Sequence, residues 1–230
     1  MDIIKKLAQE LAIKEEQAKA AVQLIDEGNT IPFIARYRKE MTGALNDETL
    51  RNLHERLLYL RNLEEKKEQV INAITDQGKM TEDLKKKILS AETLVAVDDL
   101  YRPYRPKKQT RATKAKEKGL EPLANILLLQ KTTKSMEEEA AAFVNAEKGV
   151  ANAKEAIAGA KDIIAEMIAD MADYRKSIRN CTMKQGSLVV KAKDEKAESV
   201  YEMYYDFREP LSKVTGYRVL AINRGEKEKF

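Results

Sequence analysis

The densest chemistry in this sequence is cationic. Between Arg102 and Lys118 stand Arg102, Arg105, Lys107, Lys108, Arg111, Lys114, Lys116 and Lys118. Only Glu117 opposes these eight basic residues, giving a local charge of +7, whereas the whole chain carries +4. Tyr101 and Tyr104 interleave aromatic rings. Lys and Arg displace counterions when they neutralise phosphates, and a tyrosine face can stack on an unpaired base. Arg102, Arg105, Lys107, Lys108, Arg111, Lys114 and Tyr104 are therefore the candidate nucleic-acid-binding residues. The same stretch also suits a solvated loop, or a clamp onto acidic surfaces of a larger protein. A second, weaker cluster places Arg36, Arg38 and Lys39 around Tyr37. It equally suits packing of the tyrosine, with the cations tied through Glu40 or Asp47.

Other chemistry is sparse. His54 is the single histidine and lies in a helical stripe beside Leu53 and Leu57, where a partly buried polar residue is the plainer reading than a base. Cys181 has no second cysteine to pair with and reads as a small, semi-buried residue. One Cys and one His cannot assemble the usual zinc set. The adjacent Asp98 and Asp99 would point about 100° apart on a helix, so capping or pairing with Arg102 is the better reading than a shared metal or proton. Phosphate-cradling glycine loops, nucleophile elbows and dinucleotide fingerprints do not occur. The expectation is a chain that is not an enzyme, with no metal, cofactor or small-molecule substrate.

These residues must be positioned by helices. Charged residues make up 35% of the chain, mostly Lys and Glu alongside Ala and Leu, a mixture typical of exposed helix faces. Nine Gly and five Pro among 230 residues are too few for a fold that turns every ten residues. Apolar stripes at Ile3, Leu7 and Leu11 and at Ala18, Val22 and Ile25 predict two helices, and Pro32 opens a third. Asn46 can cap a helix from Asp47 to Gln77 whose seam runs Leu50, Leu53, Leu57, Leu60, Leu63, Lys67, Val70 and Ile74. Thr81 caps a short helix, and Pro103 and Pro106 predict an extended path before helices over 110–118 and 122–129. Ser135 with Glu138 reads as a capping box, and Asn152 starts an Ala-rich helix through Met171. Ser187–Lys191 is the one credible strand, 194–207 reads as helix, and a last helix spans Tyr217–Gly225. The expected fold is mainly all-α, a multi-helix assembly on the Asp47–Gln77 helix with at most one short strand. Early charges after Met1, and no apolar run long enough to span a bilayer, predict a cytoplasmic chain with no membrane partner.

Longer strings resemble a known family over nearly the whole chain. They are Ile31-Pro32-Phe33-Ile34-Ala35-Arg36-Tyr37-Arg38-Lys39 with Thr42-Gly43, and Asp99-Leu100-Tyr101-Arg102-Pro103-Tyr104-Arg105-Pro106-Lys107 with Thr110-Arg111-Ala112. Gly119 to Ala124, Ala158 to Glu166 and Arg218 to Glu226 complete the set. Together they resemble the N-terminal region of the Tex family of bacterial transcription accessory proteins. The resemblance implies a fragment that stops before a ribonuclease-H-like domain, helix-hairpin-helix elements and an S1 domain. It also implies a role in transcription, with RNA or DNA bound mainly through those further domains and the transcription machinery as a partner. A helix-turn-helix-like unit is implied as well, with candidates in the short helices around Thr81–Leu100 and Thr110–Leu129. Family members commonly have a non-basic residue where Arg102 stands.

The expected organisation is a helical region over 1–78 with the spine helix, a helix-turn-helix-like unit with the basic segment over 79–134, and a helical part over 135–230. The alternative to nucleic-acid binding is a scaffold or protein-interaction module. That reading predicts exposed apolar surface near Val219, Leu220 and Ile222.

Overall fold

The computed structural model describes residues 2–229, which divide into two compact units, Met1–Pro106 and Lys107–Phe230. The division falls inside the 79–134 segment.

The first unit is organised on one long helix. α1 (Ile3–Leu11), α2 (Glu15–Asp26) and α3 (Ile31–Tyr37) precede α4 (Asp47–Asp76), followed by α5 (Glu82–Ser90) and α6 (Leu94–Tyr101). Local chemistry sets the boundaries. The Asn46 side chain accepts the Thr49 N–H at 2.8 Å, with Asp47 and Glu48 in the first turn, where the helix dipole favours carboxylates. α5 starts at Thr81 as expected. The first half of the α4 seam, Leu50 to Leu60, packs with Leu7, Ala18, Leu24 and Ile34. The second half, Leu63, Val70 and Ile74, packs with Ile88 and Val97. Lys67 interrupts the seam yet is buried. Its Nζ donates to the Glu64 carboxylate at 2.8 Å and the Leu89 carbonyl at 2.9 Å, so the charge is paired and a free carbonyl at the end of α5 is satisfied.

The proline segment corrects the extended expectation. Arg102–Tyr104 continues α6 as a 3-10 turn, and the Arg105 N–H bonds the Tyr101 carbonyl at 3.1 Å. Proline's fixed φ suits the first residues of a helical turn, so Pro103 is accommodated and the chain becomes extended only at Arg105.

The second unit is built around α10 (Ala153–Asp170), with α7 (Arg111–Glu117), α8 (Glu121–Leu129) and α9 (Met136–Ala141) packed on it. The Ser135–Glu138 capping box forms as expected. α10 comes close to its neighbours at Gly159, where a Cβ would lie 2.4 Å from Leu120 Cδ1 and 3.3 Å from Ala115 Cβ. α11 (Ala172–Gln185) follows, then β1 (Ser187–Lys191), β2 (Asp206–Pro210) and α12 (Gly216–Glu228).

The fold is mainly helical, but the region after α10 differs from expectation: α11, which buries none of its residues and so shows no apolar stripe, was not anticipated. β1 pairs antiparallel with a second strand, β2, with Val190 opposite Phe207 and Leu188 opposite Glu209. A lone strand leaves its peptide groups unpaired, so β1 requires a partner that the Lys-, Glu- and Ala-rich composition of 194–207 disguised as helix. That segment is instead a loop with one 3-10 turn at Glu202–Tyr204 before β2. Cys181 is exposed rather than semi-buried, because α11 buries none of its residues.

Candidate nucleic-acid interface

The short-helix pairs proposed for a helix-turn-helix fall in different units, α5 and α6 in the first, α7 and α8 in the second. The basic stretch is divided likewise. Arg102 and Arg105 close the first unit, and Lys107 through Lys118 open the second.

In the first unit, Arg105 pairs with Asp98 at 3.1 Å and lies 5.6 Å over the Tyr101 ring. Asp98 also meets Lys66 at 3.6 Å, and Asp99 is buried. Tyr101 and Tyr104 are both half-buried against the α4–α6 core, and the Tyr104 carbonyl accepts Gln77 Nε2 at 3.0 Å. Their rings serve the core more than the surface. Arg102 is exposed.

In the second unit, α10 carries an acidic stripe at Asp162, Glu166 and Asp170, spaced four residues apart and so on one face. This stripe sorts the cations. Lys107 donates to Asp170, which is nine-tenths buried, and lies 3.5 Å from Glu166. Thr110 caps α7 through the Thr113 N–H and donates to Glu166 at 3.0 Å. Arg111 approaches Asp162 at 3.6 Å with 88% of its side chain exposed, a loose pair. Lys116 meets Glu121 at 3.3 Å, and Lys118 donates to the Gly149 carbonyl at 2.7 Å. Lys108 and Lys114 are exposed and pair with no carboxylate among the described residues.

The stretch is thus two populations. Lys107 and Thr110 fasten the start of α7 to α10, while Lys108, Arg111 and Lys114 present positive charge to solvent. The acidic side chains that fasten it were missed in the sequence, although the four-residue spacing of Asp162, Glu166 and Asp170 was a legible signal. Among the described residues no group of His, Cys, Asp and Glu could hold a metal ion, and no helix is long and apolar enough to cross a membrane. His54 sits half-buried within α4.

Comparison with known proteins matches residues 1–75 to the Tex-like protein N-terminal domain and residues 131–230 to the Tex central region-like family. The chain is 46% identical over 225 residues to the protein YhgF of Escherichia coli, covering 96% of this chain and 29% of that protein. It is 42% identical over 231 residues to the transcriptional accessory protein Tex of Neisseria gonorrhoeae, covering 99% of this chain and 30% of that protein. The human S1 RNA-binding domain-containing protein 1 is 32% identical over 238 residues, covering 99% of this chain and 24% of that protein. The chain spans less than a third of the length of these relatives. Two family models matched along one chain, and relatives aligned across nearly all of it, establish that the chain belongs to the Tex family.

Proposed function

We propose that this chain is a non-catalytic helical module of a transcription accessory protein, and that it contacts the phosphate backbone of RNA or DNA through Lys108, Arg111 and Lys114. The carrying observation is the sorting of charge on α7 and the segment before it. α10 neutralises Lys107, holds the exposed Arg111 only loosely at 3.6 Å from Asp162, and leaves Lys108 and Lys114 without a carboxylate among the described residues. Long-range attraction to phosphate needs charge that no carboxylate holds firmly, so Lys108, Lys114 and the loosely paired Arg111 carry the binding and Lys107 does not. Relatives named as a transcriptional accessory protein and as an S1 RNA-binding domain-containing protein support a nucleic-acid setting for the whole protein.

Backbone contact of this kind positions a protein without reading sequence, so binding should be salt-sensitive and nearly sequence-blind. The test is fluorescence anisotropy with labelled RNA and DNA at two salt concentrations, for the parent chain and for Lys108→Glu/Arg111→Glu/Lys114→Glu. Salt-sensitive duplex binding lost in the triple variant is expected. Duplex binding that survives the reversal overturns the assignment of these residues.

A second reading, a protein-docking scaffold, is favoured by the apolar side chains exposed late in the second unit. Ile178 on α11 and Tyr217 and Leu220 on α12 are each 60–65% exposed, and Val200 is 85% exposed. This surface is compatible with phosphate contact through α7, and docking alone predicts no nucleic-acid affinity at low salt.

A further inference from the structure

The end of α3 and the residues just beyond it carry another group of cations that no described carboxylate holds. Arg36, Arg38 and Lys39 are exposed, and none forms an ion pair with a carboxylate among the described residues. The structural use expected for them is absent there. Asp47 pairs with Arg51 at 2.6 Å on its own helix, and Glu40 is exposed. Cations near the end of a short helix do complement its dipole, but that effect accounts for one such residue, not three.

The aromatic groups are arranged as a platform. Phe33 and Tyr37, one helical turn apart, have ring centroids 5.3 Å apart at 46°. The Arg38 guanidinium lies 5.1 Å over Phe33 and that of Arg36 lies 6.0 Å from Tyr37, while Tyr37 as a whole remains 61% exposed. Arg36 to Met41 line a shallow depression beside it.

The backbone beneath this surface is fixed. Thr42 is fully buried, and its hydroxyl contacts the carbonyls of Arg38 and Lys39, both at 3.3 Å. Gln17 Nε2 reaches the carbonyls of Thr42 at 3.2 Å and Gly43 at 2.9 Å. Gly43 and Ala44 both take positive φ, and for Ala44 that is a strained conformation held by its surroundings. A loop tied down this firmly presents its cations and ring in a preset arrangement, which lowers the ordering cost of binding.

We infer that Tyr37 with Arg36, Arg38 and Lys39 forms a second nucleic-acid contact, one selective for single strands, in which an unpaired base stacks on the Tyr37 ring and the three cations hold its flanking phosphates. The pairing of an open ring with unneutralised cations favours this ligand. A duplex hides its base faces, and an acidic peptide has no use for the ring. The site lies in the first unit and does not depend on the α7 cations.

The test uses the described chain with a labelled oligothymidylate of about twelve nucleotides, within the range one such surface covers. Tyr37→Ala should weaken single-strand binding about 5- to 150-fold, the worth of one stacked base, and leave duplex binding unchanged. Tyr37→Phe should restore it, and Arg36→Glu/Arg38→Glu should abolish the single-strand preference. An iodouracil-substituted oligonucleotide should photocrosslink to Tyr37. Circular dichroism and the urea midpoint should match those of the parent chain, since Tyr37 is outside the core. Unchanged single-strand affinity in Tyr37→Ala, or equal loss of duplex binding, overturns the inference. If the triple reversal on α7 spares binding while Tyr37→Ala removes it, this contact stands and the α7 assignment falls. A chain with no oligonucleotide affinity at low salt refutes both, and capture of an acidic peptide equally by the parent chain and Tyr37→Ala would mark the cations as a protein contact instead.

Discussion

Gly159→Ala tests whether the close approach of α10 to its neighbours positions the basic helix. The new methyl carbon would sit 2.4 Å from Leu120 Cδ1 and 3.3 Å from Ala115 Cβ. Ordinary carbon contacts lie near 3.5–4.0 Å, so the first overlap is roughly 1 Å. Leu120 and Ala115 are at most 4% exposed, so neither has open space to enter. Overpacking of this size costs about 1–3 kcal/mol, while replacing a helical glycine with alanine returns about 1 kcal/mol. An overlap of roughly 1 Å against buried neighbours puts the cost in the upper part of that range, about 2–3 kcal/mol, so the net loss is about 1–2 kcal/mol, or about 2–8 °C in Tm for a chain of this size. Thermal and urea unfolding by circular dichroism, with the Arg111–Glu117 helix followed by amide exchange, would measure it. An unchanged or raised Tm would mean that Leu120 swings aside freely and that helix propensity, not close packing, governs the position.

Lys67→Met keeps the aliphatic stem and removes the charge. With Glu64 and Leu89 both partly solvated, it should cost about 1–2 kcal/mol in urea unfolding. Lys67→Ala also removes buried methylenes at about 0.8 kcal/mol each, so it should cost about 2 kcal/mol more, and equal losses would refute the packing role of the stem. In the first unit, hydrogen bonds from Arg56 and Arg61 hold the Glu10 and Asp26 carboxyls below their usual range. A carboxylate with a folded-state pKa below its unfolded one stabilises the fold above the ordinary carboxylate range, and that stability is lost as the pH falls through the folded-state value. Both pairs are part-exposed, so each is worth about 0.2–1 kcal/mol. Glu10→Gln/Asp26→Asn should flatten the acid limb of the stability profile, and an identical limb would place the titration elsewhere.

Most helices were legible because their signals are local, whereas α11, which buries none of its residues, offered no apolar stripe to read. Asn46, Thr81 and Ser135 cap where capping chemistry predicts, and the leucine seam of α4 marks a buried face on its own. β2 was not legible, because pairing with β1 is a tertiary fact and the residues before it favour helix on propensity alone. The candidate interface was half legible. Sequence reveals charge density over 102–118, but whether a lysine is free or spent depends on what faces it. Lys107 is spent on Asp170, sixty-three residues away, while Lys108 beside it is open. Tyr104 is half-buried against the α4–α6 core, because the 3-10 turn at Arg102–Tyr104 keeps it close to α6, a contact that the local sequence does not reveal.

The most direct test is the salt dependence of nucleic-acid binding. The slope of log K against log salt counts phosphates neutralised, at about 0.7–0.9 per contact. The phosphate assignment of Lys108, Arg111 and Lys114 requires that Lys108→Ala/Arg111→Ala/Lys114→Ala reduce the slope by about 2–3, whereas Lys107→Ala leaves it unchanged while lowering stability. A slope that falls with Lys107→Ala, or that stands unmoved in the triple variant, would contradict it.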